Sequence, residues 1–386
     1  MNNFINQLKV LRGLKRDGLF LSFAQACAGE DKNNFYFMVY DRGAENAFLA
    51  ELCRLILTDE NAFSKTCAGG SIPSAYLLDA YADDLKIIFA AARTLEGDEH
   101  MNLGNATPPF DGELNGEKCA ENLVDFYAAH GYGAFIEYRA FTYDGTKLIP
   151  IPKTSTVTVD ELKNYRTEKK LVEDNILNFL SDLPYANMLL YGDRGTGKSS
   201  TVHAMLNKYF DDGLRIIEIS KENMLCIPAV RELVADNPLK FIIFIDDLSL
   251  DEYDEKVSSL KAGLEGSVSG GTENVMIAAT SNRRHIVKES FSDRENSVHP
   301  GDSIAEQLSL SDRFGLTVMF STTDKSEYLS IVGQLADDAG IKTDRQQLFA
   351  LAERWALTKG GRSPRRAKQF ADLAYACEQR GVPIDF

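Results

Sequence analysis

Several things are missing from this chain, and each absence excludes something. The six cysteines (Cys27, Cys53, Cys67, Cys119, Cys226, Cys377) contain no Cys-x-x-Cys pair, and the five histidines form no ligand cluster. A zinc ribbon or redox dithiol is thereby excluded, and reduced structural thiols are the expectation. The longest apolar runs, such as Ile87-Ile88-Phe89-Ala90-Ala91-Ala92, fall far short of the roughly 20 residues a membrane-spanning helix needs. The opening residues MNNFINQLKVLRGLKRDG carry no unbroken apolar core of signal-peptide length, so a cytoplasmic protein with no membrane partner is expected. Positive charge is also scarce: 42 Lys and Arg face 57 Asp and Glu, a net charge of −15. Wholesale binding to nucleic acid or anionic lipid is disfavoured, because such partners are met by basic surfaces. A local basic groove remains compatible, and the main basic concentration is Arg362-Ser363-Pro364-Arg365-Arg366-Ala367-Lys368.

What is present begins with Gly192-Asp193-Arg194-Gly195-Thr196-Gly197-Lys198-Ser199, directly behind the apolar run Asn187-Met188-Leu189-Leu190-Tyr191. The pattern G-x-x-x-x-G-K-[ST] between a strand and a helix is a phosphate-binding loop. Its glycines let backbone N–H groups turn toward a phosphate, Lys198 reaches the outer phosphates, and the Ser199 hydroxyl suits Mg²⁺. The helix expected over 197–210 adds the positive end of its dipole, with Ser200 in its first turn.

Composition fits an ordinary globular protein of two or three domains: 386 residues, 44% hydrophobic and 26% charged. Residues 1 to about 95 alternate helical patterns with short polar breaks. Ala44 to Leu57, for example, puts Phe48, Leu52, Leu55 and Ile56 on one face. Residues 95–118 concentrate Gly, Asn, Asp and Pro and read as a long loop. A strand pair is expected over Phe135–Tyr143 and Lys147–Ile151, joined across Asp144-Gly145.

From Asn187 onward strands and helices alternate as in a parallel, helix-covered sheet. The strand candidates are Asn187–Tyr191, Leu214–Ile219, Phe241–Asp246, Asn274–Ser281 and Leu316–Phe320. Phe241-Ile242-Ile243-Phe244-Ile245 has the continuous apolar character of a strand buried on both faces. It ends in Asp246-Asp247. A carboxylate there can hold Mg²⁺ together with Ser199, the role assigned to Asp246, and Asp247 is placed to polarise an attacking water. The fourth strand closes on Asn282, whose neutral amide suits positioning of that water or of the terminal phosphate. Arg313, in a loop before the last strand, could supply guanidinium charge as a γ-phosphate leaves. Three helical segments close the chain, Lys325–Ala339, Arg345–Thr358 and Pro364–Arg380, with Arg365 in the first turn of the last.

The order GDRGTGKS, FIIFIDD, AATSN, SDRFG and GGRSPRRAKQF, over residues 155–380, resembles the AAA+ ATPases. It is most similar to a poorly characterised bacterial group of ATP-binding proteins, through NMLLYGDRGTGKSS, ATSNRRH and LSDRFG, with a looser likeness to replication initiator and helicase-loader ATPases through SDRFG. The resemblance implies a five-stranded parallel α/β core and an all-helical lid, with ATP between them. It also implies Asp246 on Mg²⁺, Asp247 as the catalytic carboxylate, Asn282 as a first sensor, Arg313 as a finger donated to a neighbouring subunit, and Arg365 as the second-sensor candidate ahead of Arg366 and Arg362. One departure is the Asp-Asp ending, where AAA+ proteins usually carry Asp-Glu, which shortens the reach to water by one methylene. The stretch Val159–Arg166 resembles the segment bordering adenine, with Leu162 or Tyr165 covering the base, and an amphipathic lead-in helix accounts for it equally well.

The expected organisation is a mainly helical partner-binding region with a short hairpin over 1–150, a nucleotide-binding α/β domain over 151–323 and a helical lid over 324–386. The implied activity is hydrolysis of Mg-ATP by a self-associating protein that remodels, loads or releases an unidentified protein client. A slowly hydrolysing nucleotide switch and a DNA-related loader are the alternatives. A small-molecule kinase is less favoured, because no second-substrate pocket is evident in the sequence. The polar insertion after Asn282, with Arg283-Arg284-His285 and Ser290 to Ser303, is expected to meet a neighbouring subunit or partner, and His285 and His299 are too isolated for a metal site.

Overall fold

The computed structural model describes residues 4–110, 112–251, 260, 264, 274–282, 287–288 and 313–386. It forms two compact units, Met1–Tyr138 with Ala235–Leu239, and Arg139–Val234 with Lys240–Phe386.

The first unit is helical: α1 Gly18–Cys27, α2 Lys32–Asp41, α3 Phe48–Thr58, α4 Ala62–Ala68, α5 Ala75–Arg93, α6 Gly116–His130 and the single turn α7 Ala134–Glu137. Short polar residues start most of them. Asp17 accepts from Phe20 N–H, Asn61 and Ser64 form a reciprocal capping box, and Asn115 caps α6. The faces they bury form one core, including Phe20, Phe23, Phe35, Phe48, Phe63, Tyr81, Leu85, Ile88 and Leu123, and each such side chain stabilises by about 1.5–3 kcal/mol when fully buried. Asp84 on α5 is fully buried. Its carboxylate accepts three successive backbone N–H groups, from Lys9, Val10 and Leu11, at 2.7–3.0 Å, which fixes the N-terminal segment to the core. The helix expected from Ala44 starts at Phe48.

The second unit is built on a seven-stranded sheet of β1 Ala140–Tyr143, β2 Leu148–Pro150, β3 Met188–Gly192, β4 Leu214–Glu218, β5 Lys240–Ile245, β7 Val275–Ser281 and β9 Leu316–Phe320, in the order β2-β1-β4-β5-β7-β3-β9. Two-residue strands, β6 Leu250–Asp251 and β8 Val287–Lys288, pair separately. All neighbours in the large sheet run parallel except β1 and β2. The five strands expected from the apolar runs form its parallel body, and β1 and β2 extend it at the β4 edge. Alternate residues of β3, β5 and β7 (Met188, Leu190, Ile242, Phe244, Met276, Ala278) pack with Val172, Ile176 and Phe179 of α8 Arg166–Leu180 and with Val202, Met205 and Leu206 of α9 Lys198–Tyr209. Phe241, Ile243 and Ile245 on the opposite face are also fully buried, as an all-apolar run requires.

The expected hairpin forms, β1 pairing antiparallel with β2 through a turn at Asp144–Lys147. Its first strand is shorter than expected, because Phe135–Glu137 is helical; β1 also pairs with β4, and the compact units divide between Tyr138 and Arg139. Parallel pairing with a strand more than seventy residues away leaves no local trace in sequence.

Three helices complete this unit, α11 Lys325–Ala339, α12 Arg345–Thr358 and α13 Pro364–Arg380, with α10 Ile227–Val234 lying between β4 and β5 in the chain. The bounds of α11, α12 and α13 are those read from the sequence. Asp324, Asp344 and Ser363 cap their starts, Pro364 occupies the first turn of α13, and Gly340 and Gly381 end two of them in the left-handed conformation. Tyr328, Ile331, Val332, Leu348, Ala352, Ala367 and Phe370 form their common core.

Candidate functional site

The site lies where ligands bind in open parallel sheets, in the crevice outside the carboxyl ends of the strands. The chain leaves β3 through Gly192, Gly195 and Gly197, at φ +134°, +79° and +98°, conformations that only glycine adopts without strain. At Gly192 there is a second reason: a Cβ would stand 2.0 Å from the Phe320 carbonyl oxygen on β9. Glycine is therefore required for β3 and β9 to approach. At Gly195 a Cβ would press on Arg365 Cβ at 3.1 Å and Ser363 Oγ at 3.2 Å. Here the loop meets the start of α13, and Arg365 N–H donates to the Gly195 carbonyl at 3.1 Å.

Helix α9 opens on Gly197 with no side-chain cap, whereas side chains cap all three helices of the lid. The free first-turn N–H groups of α9 and its positive end make a ready anion site. Lys198 is buried, and its ammonium donates to the Gly192 and Asp193 carbonyls, each at 2.8 Å, and to Asn282 Oδ1 at 3.4 Å. Burial lowers its pKa, opposed by the charges of Asp193, Asp246 and Asp247.

The strand-end carboxylates complete the arrangement. Register places Ile245 beside Ala279 and Leu190 beside Thr280, so Asp246, Thr280 and the loop share one level. Ser199 Oγ donates to Asp246 Oδ1 at 2.6 Å, and Thr280 Oγ1 donates to the same oxygen at 2.5 Å. Asp247 is exposed and left-handed, φ +50°, with its carboxylate held by Asn282 Nδ2 at 2.5 Å. Asn282 thus links Lys198 to Asp247. A cavity of about 380 Å³ is lined by Arg194, Gly195, Gly197, Lys198, Ser199 and Ser200 of the loop and by Asp246, Asp247, Thr280, Asn282 and Arg365.

A second cavity, about 290 Å³, adjoins it between sheet and lid, where Leu162, Tyr165, Gly195, Ile331, Leu335 and Arg365 are among the lining residues. Residues 159–165 are not the lead-in helix. They form a turn in which Asn164 and Tyr165 are left-handed, at φ +69° and +54°, and α8 begins only at Arg166. Lys169 fastens the turn by donating to the Leu162 and Val159 carbonyls, and Tyr165 does so by donating to the Ser321 carbonyl.

Together these features fit a nucleotide. The uncapped helix end and buried ammonium suit phosphate, and the largely apolar second cavity suits a base. The Ser199 hydroxyl and Asp246 carboxylate are hard oxygen donors of the kind Mg²⁺ takes when most of its remaining ligands are water and phosphate. Among the described residues no cluster of three or more His, Cys, Asp or Glu forms a protein-only metal site.

A family model described as "Protein of unknown function (DUF815)" matches residues 136–378. The chain belongs to the DUF815 family. The replication factor C large subunit of Nanoarchaeum equitans (strain Kin4-M) is 33% identical over 63 residues, which span 16% of this chain and 14% of that relative. Similar solved structures include the RuvB Holliday junction branch migration motor of Thermotoga maritima, 13% identical with a TM-score of 0.39 over 58% of this chain and 66% of that one. The FIGL-1 AAA domain in complex with ADP is 17% identical, with a TM-score of 0.40 over 58% of this chain and 75% of that one. None of these similarities carries a relative's activity over to the DUF815 chain. Its own sheet order, glycine loop, strand-end carboxylates and helical lid form an AAA+ P-loop fold.

Of the expected site residues, the cavities bring together the loop residues 194–200, Asp246, Asp247, Asn282, Arg365 and Leu162. Gly192 and Asp193 serve through their carbonyls. Arg362 instead pairs with Glu353 of α12, and Arg366 donates to the Gly361 carbonyl at 2.7 Å, so both secure the lid's own turn. Arg313 lines neither cavity. It precedes β9, at the edge of the sheet opposite the loop, and a five-residue strand separates the two edges by roughly 15 Å. The expected insertion, with Arg283, Arg284, His285, His299 and Ser290 to Ser303, lies outside the described residues.

Sequence reasoning missed two features. Thr280, read only as strand, contacts both carboxylate residues. A third cavity, about 480 Å³ and bounded by Thr142, His203, Glu218, Lys221, Asp246 and Asp247 among others, adjoins the carboxylates where β1 extends the sheet. This cavity stands beside the site, although Glu218, Glu222, Asp246 and Asp247 on its wall oppose an anionic phosphoryl acceptor.

Proposed function

We propose that this chain hydrolyses Mg-ATP as a self-associating AAA+ protein, and that its N-terminal residues engage a protein client whose binding or release follows the nucleotide cycle. The observation that carries the reading is the meeting of phosphate loop and strand-end carboxylates across one cavity, through Ser199 to Asp246 at 2.6 Å and through Asn282 between Lys198 and Asp247.

In this reading the amides after Gly195 and Gly197 and the Lys198 ammonium bind the phosphates, and Leu162 and Tyr165 cover the base. Ser199 and Asp246 hold Mg²⁺, which supplies charge neutralisation on the phosphate oxygens. Asp247 accepts the proton of the attacking water while Asn282 orients it. Arg365 stands on the border of the two cavities, so a lid closed on ATP brings its guanidinium to the phosphates. Arg313, at the far edge of its own sheet, serves the site of a neighbouring subunit, where added cationic charge stabilises the departing phosphate.

A slowly cycling switch is the second reading, favoured by the short Asp247 side chain and by its hydrogen bond to Asn282. A DNA-related loader is opposed by the net charge of −15. Nucleotide binding and single-turnover hydrolysis by Lys198→Ala and Asp247→Asn test the proposal. Lys198→Ala loses binding, and Asp247→Asn keeps binding but loses turnover by about 10²-fold or more. An Asp247→Asn variant as fast as the parent removes Asp247 from the mechanism.

A further inference from the structure

Building on that reading, we infer that Thr280 is a positioning residue that holds the metal-binding and the water-activating aspartates in register through one hydroxyl. Thr280 is 2% exposed and sits on β7, between β5 and β3. Its Oγ1 donates its single proton to Asp246 Oδ1 at 2.5 Å and accepts from Asp247 N–H at 3.0 Å. One oxygen therefore serves two consecutive residues with different duties. The donated bond and the one from Ser199 both end on Oδ1, which fixes the plane of the Asp246 carboxylate and directs Oδ2 away from the two hydroxyls.

The accepted bond acts on the backbone. Asp247 is left-handed at φ +50°, a conformation uncommon outside glycine and held only where the surroundings over-determine it. Here three bonds from β7 do so: the hydroxyl on Asp247 N–H, the Thr280 carbonyl accepting from Leu248 N–H at 2.7 Å, and Ser281 Oγ donating to the Leu248 carbonyl at 2.9 Å. The turn aims the Asp247 side chain at Asn282. A β-branched side chain is stiff at χ1, so threonine holds its hydroxyl in place with little freedom to lose. Valine has the same shape and neither bond.

The test compares Thr280→Val and Thr280→Ser in the full chain, with ATP turnover and fluorescent-nucleotide binding each titrated with Mg²⁺. Thr280→Val is expected to lower kcat at least tenfold and to raise the Mg²⁺ concentration for half-maximal turnover at least threefold, with ATP KM within twofold. Thr280→Ser, which keeps the hydroxyl, is expected to stay within threefold of the parent in both. Parent-like behaviour of Thr280→Val overturns the inference, and so does an equal loss in both variants with unchanged Mg²⁺ dependence. Should Thr280→Val fail to fold, Thr280→Cys, a weaker donor of similar size, is expected to show the same Mg²⁺ shift, and its absence overturns the inference. If the parent binds nucleotide without turnover, the hydrolysis reading fails while Thr280 is still judged by the Mg²⁺ dependence of nucleotide affinity. If the parent binds no nucleotide, both fail.

Discussion

Replacing Gly192 by alanine asks whether the phosphate loop depends on a backbone approach that no side chain can share. Two costs arise. A non-glycine residue at φ +134° is strained by about 1–3 kcal/mol. The new Cβ would also stand 2.0 Å from the Phe320 oxygen and 2.8 Å from its carbonyl carbon, and because the obstacle is backbone, β3 and β9 must part, at a further cost of about 1–3 kcal/mol. The total is roughly 2–6 kcal/mol. At roughly 2–4 °C per kcal/mol for a unit of this size, the midpoint should fall by somewhere between about 4 and 24 °C. Gly340→Ala is the control. It ends α11 at φ +69° with nothing within 4 Å of an added Cβ, so it has only the backbone cost of about 1–2 kcal/mol. Thermal unfolding followed by circular dichroism and intrinsic fluorescence compares the two. A Gly192→Ala protein that melts no lower than Gly340→Ala, with ATP affinity intact, would refute the close-approach argument.

Three further outcomes are expected. Arg365→Ala should weaken ATP binding by roughly 5- to 30-fold, the loss of one partly solvated charge-assisted contact, and unchanged affinity by calorimetry would remove Arg365 from the site. ATP affinity should decline with rising pH below 10.5, because burial lowers the Lys198 pKa and only the ammonium binds phosphate. Since the unfolded chain keeps this proton to higher pH than the folded one, the same lysine makes folding more favourable as pH rises between the two values. A pH profile that does not change in Lys198→Arg would argue against this origin. Asp84→Ala should destabilise the first unit by about 3 kcal/mol or more, since three backbone N–H groups lose their acceptor, yet leave ATP affinity unchanged. Hydrogen exchange at residues 9–11 that does not rise would contradict this role.

The parts of the fold that were legible in the sequence are those governed by local rules. β9 and the three lid helices were readable to the residue, because along β9 the buried Val318 and Phe320 alternate with the exposed Thr317 and Met319, and the helices carry Asp or Ser caps, with glycine closing two of them. The loop, Asp246, Asp247 and Asn282 were readable because each follows a strand directly. Features set by distant pairing were not readable. The place of β1 beside β4 depends on a partner far along the chain, and the helical turn at Phe135–Glu137 resembles a strand in composition. Thr280 was invisible for the same reason, since a threonine near a strand end is ordinary until the neighbouring strand's turn lies against it. Arg362, Arg365 and Arg366 could be separated only once Glu353 and the Gly361 carbonyl were seen to occupy two of them.

The most direct test of the central claim mixes two disabled proteins. Asp247→Asn and Arg313→Ala are each expected to turn over ATP slowly alone, and ATP hydrolysis is measured for each and for equimolar mixtures across a wide range of protein concentration. If sites are shared between subunits, mixtures recover activity, because an Asp247-bearing site can receive Arg313 from its neighbour, and the parent's specific activity rises with concentration. Mixtures that stay as slow as their components, beside a parent whose activity per subunit does not depend on concentration, would contradict the account.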